Sequence, residues 1–118
     1  MTRFNFLIPV FALLALAGCG SGQNSAAVPA VPPPAAASAA VQKIYDSTCR
    51  TCHGVPASGA PQAGDAKAWA PRVAQGKDVV IGHIINGFQK MPPMGLCMQC
   101  SEDDFAAVTE WMSGAKLK

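Results

Sequence analysis

Cys49-Arg50-Thr51-Cys52-His53 is the stretch on which the reading of this chain turns. A C-x-x-C-H run is the signature of covalent haem attachment: two thiols add across the haem vinyl groups, and the adjoining histidine supplies an iron ligand. Two intervening residues set the thiols about one helical turn apart, and the next residue turns its imidazole toward the bound macrocycle. The run implies a redox protein. A second pair, Cys97-Met98-Gln99-Cys100, opens a competing reading in which four thiolates bind zinc. The gap between the two pairs is well beyond zinc-ribbon spacing, which weighs against it.

Working outward toward the N-terminus, Thr2-Arg3 precedes an apolar run from Phe4 to Leu16. At about 13 residues it is too short for a membrane-spanning helix of about 20, and it has the size of a signal-peptide core. It ends in Leu16-Ala17-Gly18-Cys19, which resembles the bacterial lipoprotein processing box. Residues 1–18 therefore read as a signal peptide, with Cys19 as a lipidated first residue; ordinary cleavage after small residues is the alternative. A lipidated cysteine of this kind carries more than one acyl chain, enough for stable anchoring. The expected location is the periplasm, tethered to a bacterial membrane, and Gly20 after the cysteine leans toward the outer one by analogy with lipoprotein sorting.

The chain has five cysteines, and an odd count in an exported protein needs an explanation. Lipid takes Cys19 and haem takes Cys49 and Cys52. Cys97 and Cys100 remain, and an oxidising compartment favours closing them. A two-residue loop is tight for disulfide geometry, so a free dithiol stays open as the alternative.

Residues 19–40 read as a linker. From Gly20 to Ala40 the chain is rich in Gly, Ser, Ala and Pro, carries no charge, and includes Pro32-Pro33-Pro34. Too few large apolar groups are present to offset the entropy of ordering it, so an extended spacer is expected, with Ala35 to Ala40 able to extend the first helix. Residues 41–118 form the haem domain. So short a domain is marginal on its own core, and a buried porphyrin supplies the missing apolar area. Eight Lys and Arg stand against seven Asp and Glu from Val41 onward, a net +1. No basic stripe is present, which argues against a nucleic-acid partner.

The domain reads as all-α, with four short helices and no strand alternation. The first runs from Val41 to Thr51, with Val41, Ile44, Tyr45 and Thr48 on one face. A Gly- and Pro-rich loop, His53 to Gly64, suits a chain wrapping closely round a flat ligand. Asp65 caps a short helix, Ala66 to Ala70, that ends before Pro71. Asp78 to Asn86 carries Val79, Val80, Ile84 and Ile85 and stops at Gly87. The last helix opens with Ser101-Glu102-Asp103-Asp104, close to a capping box, and aligns Phe105, Val108, Trp111 and Met112 on one face. The first and last helices are the expected crossing pair.

This order resembles the class I c-type cytochromes, and within them the short bacterial cytochrome c5 group. The residues that carry the likeness are Tyr45 ahead of Cys49-Arg50-Thr51-Cys52-His53-Gly54, Gly59-Ala60-Pro61, Gly64-Asp65, Trp69-Ala70-Pro71-Arg72, Gly87-Phe88, Met91-Pro92-Pro93 and Cys97-Met98-Gln99-Cys100-Ser101. The resemblance implies one covalent haem c with Met91 as the second axial ligand and Met94 as its competitor. Two prolines after Met91 fix φ and stiffen the loop, which agrees with that role. It implies that the Pro61 carbonyl orients His53, that Trp69 and Arg72 lie around the haem propionates unless they only pack or face solvent, and that Cys97 and Cys100 form a disulfide. His83 reads as a surface histidine.

Two protein ligands leave the iron no open position, which suits electron transfer rather than oxygen chemistry. The expected function is a mono-haem, one-electron carrier with no catalytic residue, between a membrane donor such as a quinol-oxidising complex and a terminal oxidase or reductase. A haem peroxidase-type enzyme and a zinc or disulfide structural lipoprotein are the alternatives. Met94 and Leu96 are expected to form a small apolar rim where a partner docks.

Overall fold

A computed structural model describes residues 36–118. The expected signal peptide, Cys19 and most of the expected linker lie outside the described residues. Helices α1 (Ala39–Ile44), α2 (Arg50–His53), α3 (Ala66–Val73), α4 (Lys77–Asn86) and α5 (Glu102–Ser113) carry the fold. A turn of π-helix, Tyr45–Cys49, joins α1 to α2 without a break. The described chain thus has four helical runs, as expected, and no named β-strand among the described residues.

The first run begins at Ala39, ahead of Val41, because Ser38 caps it through Val41 N–H at 3.3 Å. It also outlasts the expected end at Thr51 and closes at His53. The π turn was not expected from the periodicity. Its cause is local: the hydroxyls of Ser47 and Thr48 both donate to the Ile44 carbonyl, at 3.1 and 2.9 Å, and compete with the backbone for that acceptor. The ladder then closes one residue wider, with the Arg50 N–H on the Tyr45 carbonyl.

Helix α3 corrects the expectation that Pro71 ends it. Asp65 caps the helix through the Ala68 N–H at 3.0 Å, as expected, but the helix runs through Pro71 to Val73. Proline costs a helix one hydrogen bond, here to the carbonyl of exposed Lys67, which water can satisfy. The ladder resumes beyond it, with the Ala74 N–H on the Ala70 carbonyl at 3.1 Å.

Helix α4 ends at Gly87, whose φ of +82° only glycine adopts freely. An alanine Cβ there would also sit 3.0 Å from the Met91 carbonyl oxygen. Helix α5 starts on a complete capping box: Asp104 N–H donates to Ser101 Oγ at 3.2 Å, and Ser101 N–H donates to Asp104 Oδ2 at 2.9 Å. Its far end is tied down by the C-terminal residues. Lys116 Nζ and the Leu117 N–H both reach the Glu110 carboxylate, and the Lys77 N–H at the start of α4 donates to the Lys118 carbonyl at 2.8 Å.

α5 crosses α1 and also packs on α3 and α4. Two apolar clusters result. One joins Val80, Ile81 and Ile84 of α4 to Cys97 and Phe105; the other joins Tyr45, Trp69, Val108 and Met112. Ile44 packs against both. Trp111, expected on the buried face of α5, sits half-buried at its flank with its ring edge-on to Tyr45, centroids 4.8 Å apart.

Candidate functional site

The helical run from Ala39 delivers Cys49, Cys52 and His53 at its C-terminal end. Cys49 is half-buried, Cys52 is exposed, and both are free thiols. Burial pushes the Cys49 thiol pKa up, with a smaller opposing effect from the Thr48 hydroxyl. His53 is 8% exposed, and its Nδ1 lies 2.8 Å from the Pro61 carbonyl oxygen. A carbonyl only accepts, so Nδ1 carries the proton and Nε2 keeps its lone pair. Burial lowers the imidazole pKa, the Pro61 carbonyl opposes that, and the Arg72 charge lowers it further. The ring is therefore held neutral, the form that ligates iron.

The loop that supplies Pro61 is held from four directions. The Ala63 N–H donates to the His53 carbonyl at 2.8 Å, and the Gly64 N–H to Met112 at 2.7 Å. The Trp69 indole N–H donates to the Gln62 carbonyl at 2.8 Å. Gln62 Nε2 in turn reaches the carbonyls of Cys52, Val55 and Ala60 at 3.2, 3.2 and 2.8 Å. Gln62 was not picked out in the sequence. Its signal was available, because Ser58 and Gln62 are the only side-chain hydrogen-bonding groups between Gly54 and Gly64, and both bond the Cys52 carbonyl. Gly54 is needed for closeness: a Cβ there would lie 2.8 Å from the Tyr45 hydroxyl and 2.9 Å from the Arg50 carbonyl.

Trp69 is buried, and its ring stacks on His53 with centroids 5.4 Å apart. Its one donor is engaged by the Gln62 carbonyl, which ties the ring to the loop beside His53. Arg72 is exposed, with one guanidinium N–H on the Ala68 carbonyl of its own helix. His83 is half-buried and stacks on Phe88 at 4.1 Å.

Met91, the expected second ligand, is fixed by its backbone. Its N–H donates to the Phe88 carbonyl at 2.9 Å and its carbonyl accepts from the Phe88 N–H at 3.0 Å. Pro92 and Pro93 follow, and a 3-10 turn Pro93–Leu96 packs on α4 and on the π turn that carries Cys49. The two halves of the sequence pattern are thereby brought together. Met91 and Met94 are both partly buried against the α4 cluster. Leu96 is exposed at 64%, as expected of a rim residue, whereas Met94 is only partly so.

Cys97 and Cys100 are joined by a disulfide. The four-thiolate set that a zinc reading needs therefore does not form. Among the described residues no three His, Cys, Asp or Glu side chains gather into a metal-binding group. The remaining donors, two free thiols one helical turn apart and an imidazole with Nε2 open, fit covalent haem c.

The chain matches, over residues 36–112, the family described as "Cytochrome C oxidase, cbb3-type, subunit III". It is a member of the cytochrome c family. It is 40% identical over 73 residues to cytochrome c5 of Ectopseudomonas mendocina, covering 60% of this chain and 84% of that protein. Cytochrome c5 of Azotobacter vinelandii is 38% identical over 68 residues, covering 56% and 82%. Among solved structures, a mono-haem ferrocytochrome c from Shewanella putrefaciens aligns with a TM-score of 0.58 at 37% identity, covering 64% of this chain and 94% of that one. A chain in an electron transfer complex of nitrite reductase with cytochrome c aligns with a TM-score of 0.57 at 34% identity, covering 67% and 96%. The protein is a mono-haem c-type cytochrome and electron carrier with haem c as its cofactor.

Proposed function

We propose that this protein is an exported, lipid-anchored carrier whose haem iron is held by His53 Nε2 and the Met91 sulfur. The observation that supports it most is the fixed pair of supports on either side of the site: the Pro61 carbonyl on His53 and the two-way backbone bridge of Phe88 on Met91. Haem c, when bound, supplies a single iron that alternates between ferric and ferrous. Cys49 and Cys52 tether it by thioether bonds. The Pro61 carbonyl and the Phe88 bridge would hold His53 and Met91 in place and so keep reorganisation small. Met91 is preferred to Met94 because its backbone is bridged and followed by two prolines, while Met94 lies in left-handed backbone at φ +58°. Arg72, exposed near His53, is the donor suited to a propionate, and Trp69 positions the histidine.

Both ligand positions are filled by side chains, so the protein is read as a carrier and not an enzyme. Its partners are read as a membrane donor and a terminal oxidase or reductase. The family's oxidase-subunit description and the nitrite reductase complex of a structural relative support that class of acceptor. Residues 1–18 are read as the signal peptide, 19–40 as the anchored Cys19 and linker, and 41–118 as the haem domain. Tethering is read as falling to a lipidated Cys19.

The test is the oxidised spectrum of Met91→Ala and Met94→Ala. Loss of the far-red sulfur-to-iron band and a lowered potential are expected for Met91→Ala alone. Retention of the band in Met91→Ala would refute the ligand assignment.

A further inference from the structure

We propose that the Cys97–Cys100 disulfide is a positioning element for the Met91 sulfur, keeping the strained segment that carries it from relaxing; this rests on Met91 being the ligand. Among the described residues, the non-glycine residues with positive φ are Gln89 (+55°), Met94 (+58°) and Leu96 (+66°). All three fall between Gly87 and Cys97. Side chains with a Cβ are disfavoured in this region and persist there only where the surroundings over-determine them.

What over-determines them is identifiable. At one end, the Phe88 bridge fixes Met91. At the other, the Cys97 N–H donates to the Met94 carbonyl at 2.9 Å and the Cys100 N–H to the Cys97 carbonyl at 3.1 Å. Cys97 is 1% exposed within the cluster of Val80, Ile81, Ile84 and Phe105, and Met91, Met94 and Cys100 all lean on that cluster. The crosslink therefore anchors the exit of the left-handed pair in the same apolar wall that supports the ligand side chain.

Loop length separates this role from ordinary stabilisation. The bridged cysteines are three residues apart, and so short a loop removes little entropy from the unfolded chain. Its effect should be local to residues 88–97, with a smaller effect on the whole domain.

The experiment compares wild-type holoprotein with Cys97→Ala/Cys100→Ala. Added imidazole displaces the methionine, and loss of the far-red band reports the rate. Amide exchange at Met91 and Cys97 gives a readout independent of electron transfer. Both are expected to quicken by roughly thirtyfold, the worth of freeing two non-glycine residues from the left-handed region. Val108→Ala, which opens the other cluster, is the control for general destabilisation and should leave the displacement rate within about threefold of wild type. If the double variant exchanges ligand no faster than Val108→Ala, the proposal fails while the Met91 assignment stands. If the far-red band survives in Met91→Ala, the ligand assignment fails and takes the proposal with it.

Discussion

Replacing Trp69 by phenylalanine should weaken the protein through the loop that orients His53, and the size of the loss follows from the geometry. The indole N–H bonds the Gln62 carbonyl, which keeps a second donor, the Asp65 N–H at 3.0 Å, when the first is removed. The acceptor is not left bare, so the lost hydrogen bond costs about 1 kcal/mol. Trp69 is 5% exposed between His53 and the Val108–Met112 face of α5. The smaller ring leaves a void there, which adds about 1–2 kcal/mol in transfer and cavity terms. The expected total is about 2–3 kcal/mol, read by urea unfolding of the oxidised holoprotein followed by circular dichroism. The phenyl ring still stacks on the imidazole, so the far-red band should persist at the start of the titration. A loss below about 0.5 kcal/mol, the level of an ordinary surface change, would refute the view that the indole clamps the His53 loop.

Gly87→Ala should cost about 1–2 kcal/mol for its backbone conformation alone, with more from the approach of Cβ to the Met91 carbonyl, and should weaken the far-red band before the domain unfolds. Normal band intensity through the urea transition would count against that link. The Glu110 carboxyl is held below its usual range, chiefly by the Lys116 ammonium, and Asp104 likewise by the Ser101 backbone N–H. A depressed carboxylate pKa adds stability that is complete above the unfolded value of about 4.3 and is lost as pH falls through the lower folded value. Glu110→Gln should therefore flatten the acid side of the stability curve while leaving its slope near neutral pH unchanged. An unaltered acid limb would show that the C-terminal tether does not depend on that charge.

Much of the fold was legible because its signals are local. The Ser101–Asp104 box and the Asp65 cap depend on residues three apart, the Gly87 stop on glycine's freedom at positive φ, and each appears where it was expected. The π turn and the passage of α3 through Pro71 were not legible. In the first, two hydroxyls compete for one carbonyl within a run whose periodicity still looks helical. In the second, a proline penalty is tolerated where the lost acceptor belongs to an exposed residue, Lys67. The clamp on the His53 loop was legible only in part: Gln62 stands out as one of two side-chain hydrogen-bonding groups between Gly54 and Gly64, but the backbone carbonyls that it and Trp69 reach leave no mark in residue type.

The amino-acid sequence by itself determined the haem-attachment chemistry of the site, since two thiols and a neighbouring imidazole follow from residue types at fixed spacing along one chain. Only the tertiary structure decided how that chemistry is held: what ties down the loop that carries Pro61, where the Trp69 donor goes, and that the disulfide sits in the wall behind Met91. Those choices rest on contacts between segments distant in the chain, whose energies exist only once α1, α3, α4 and α5 have packed.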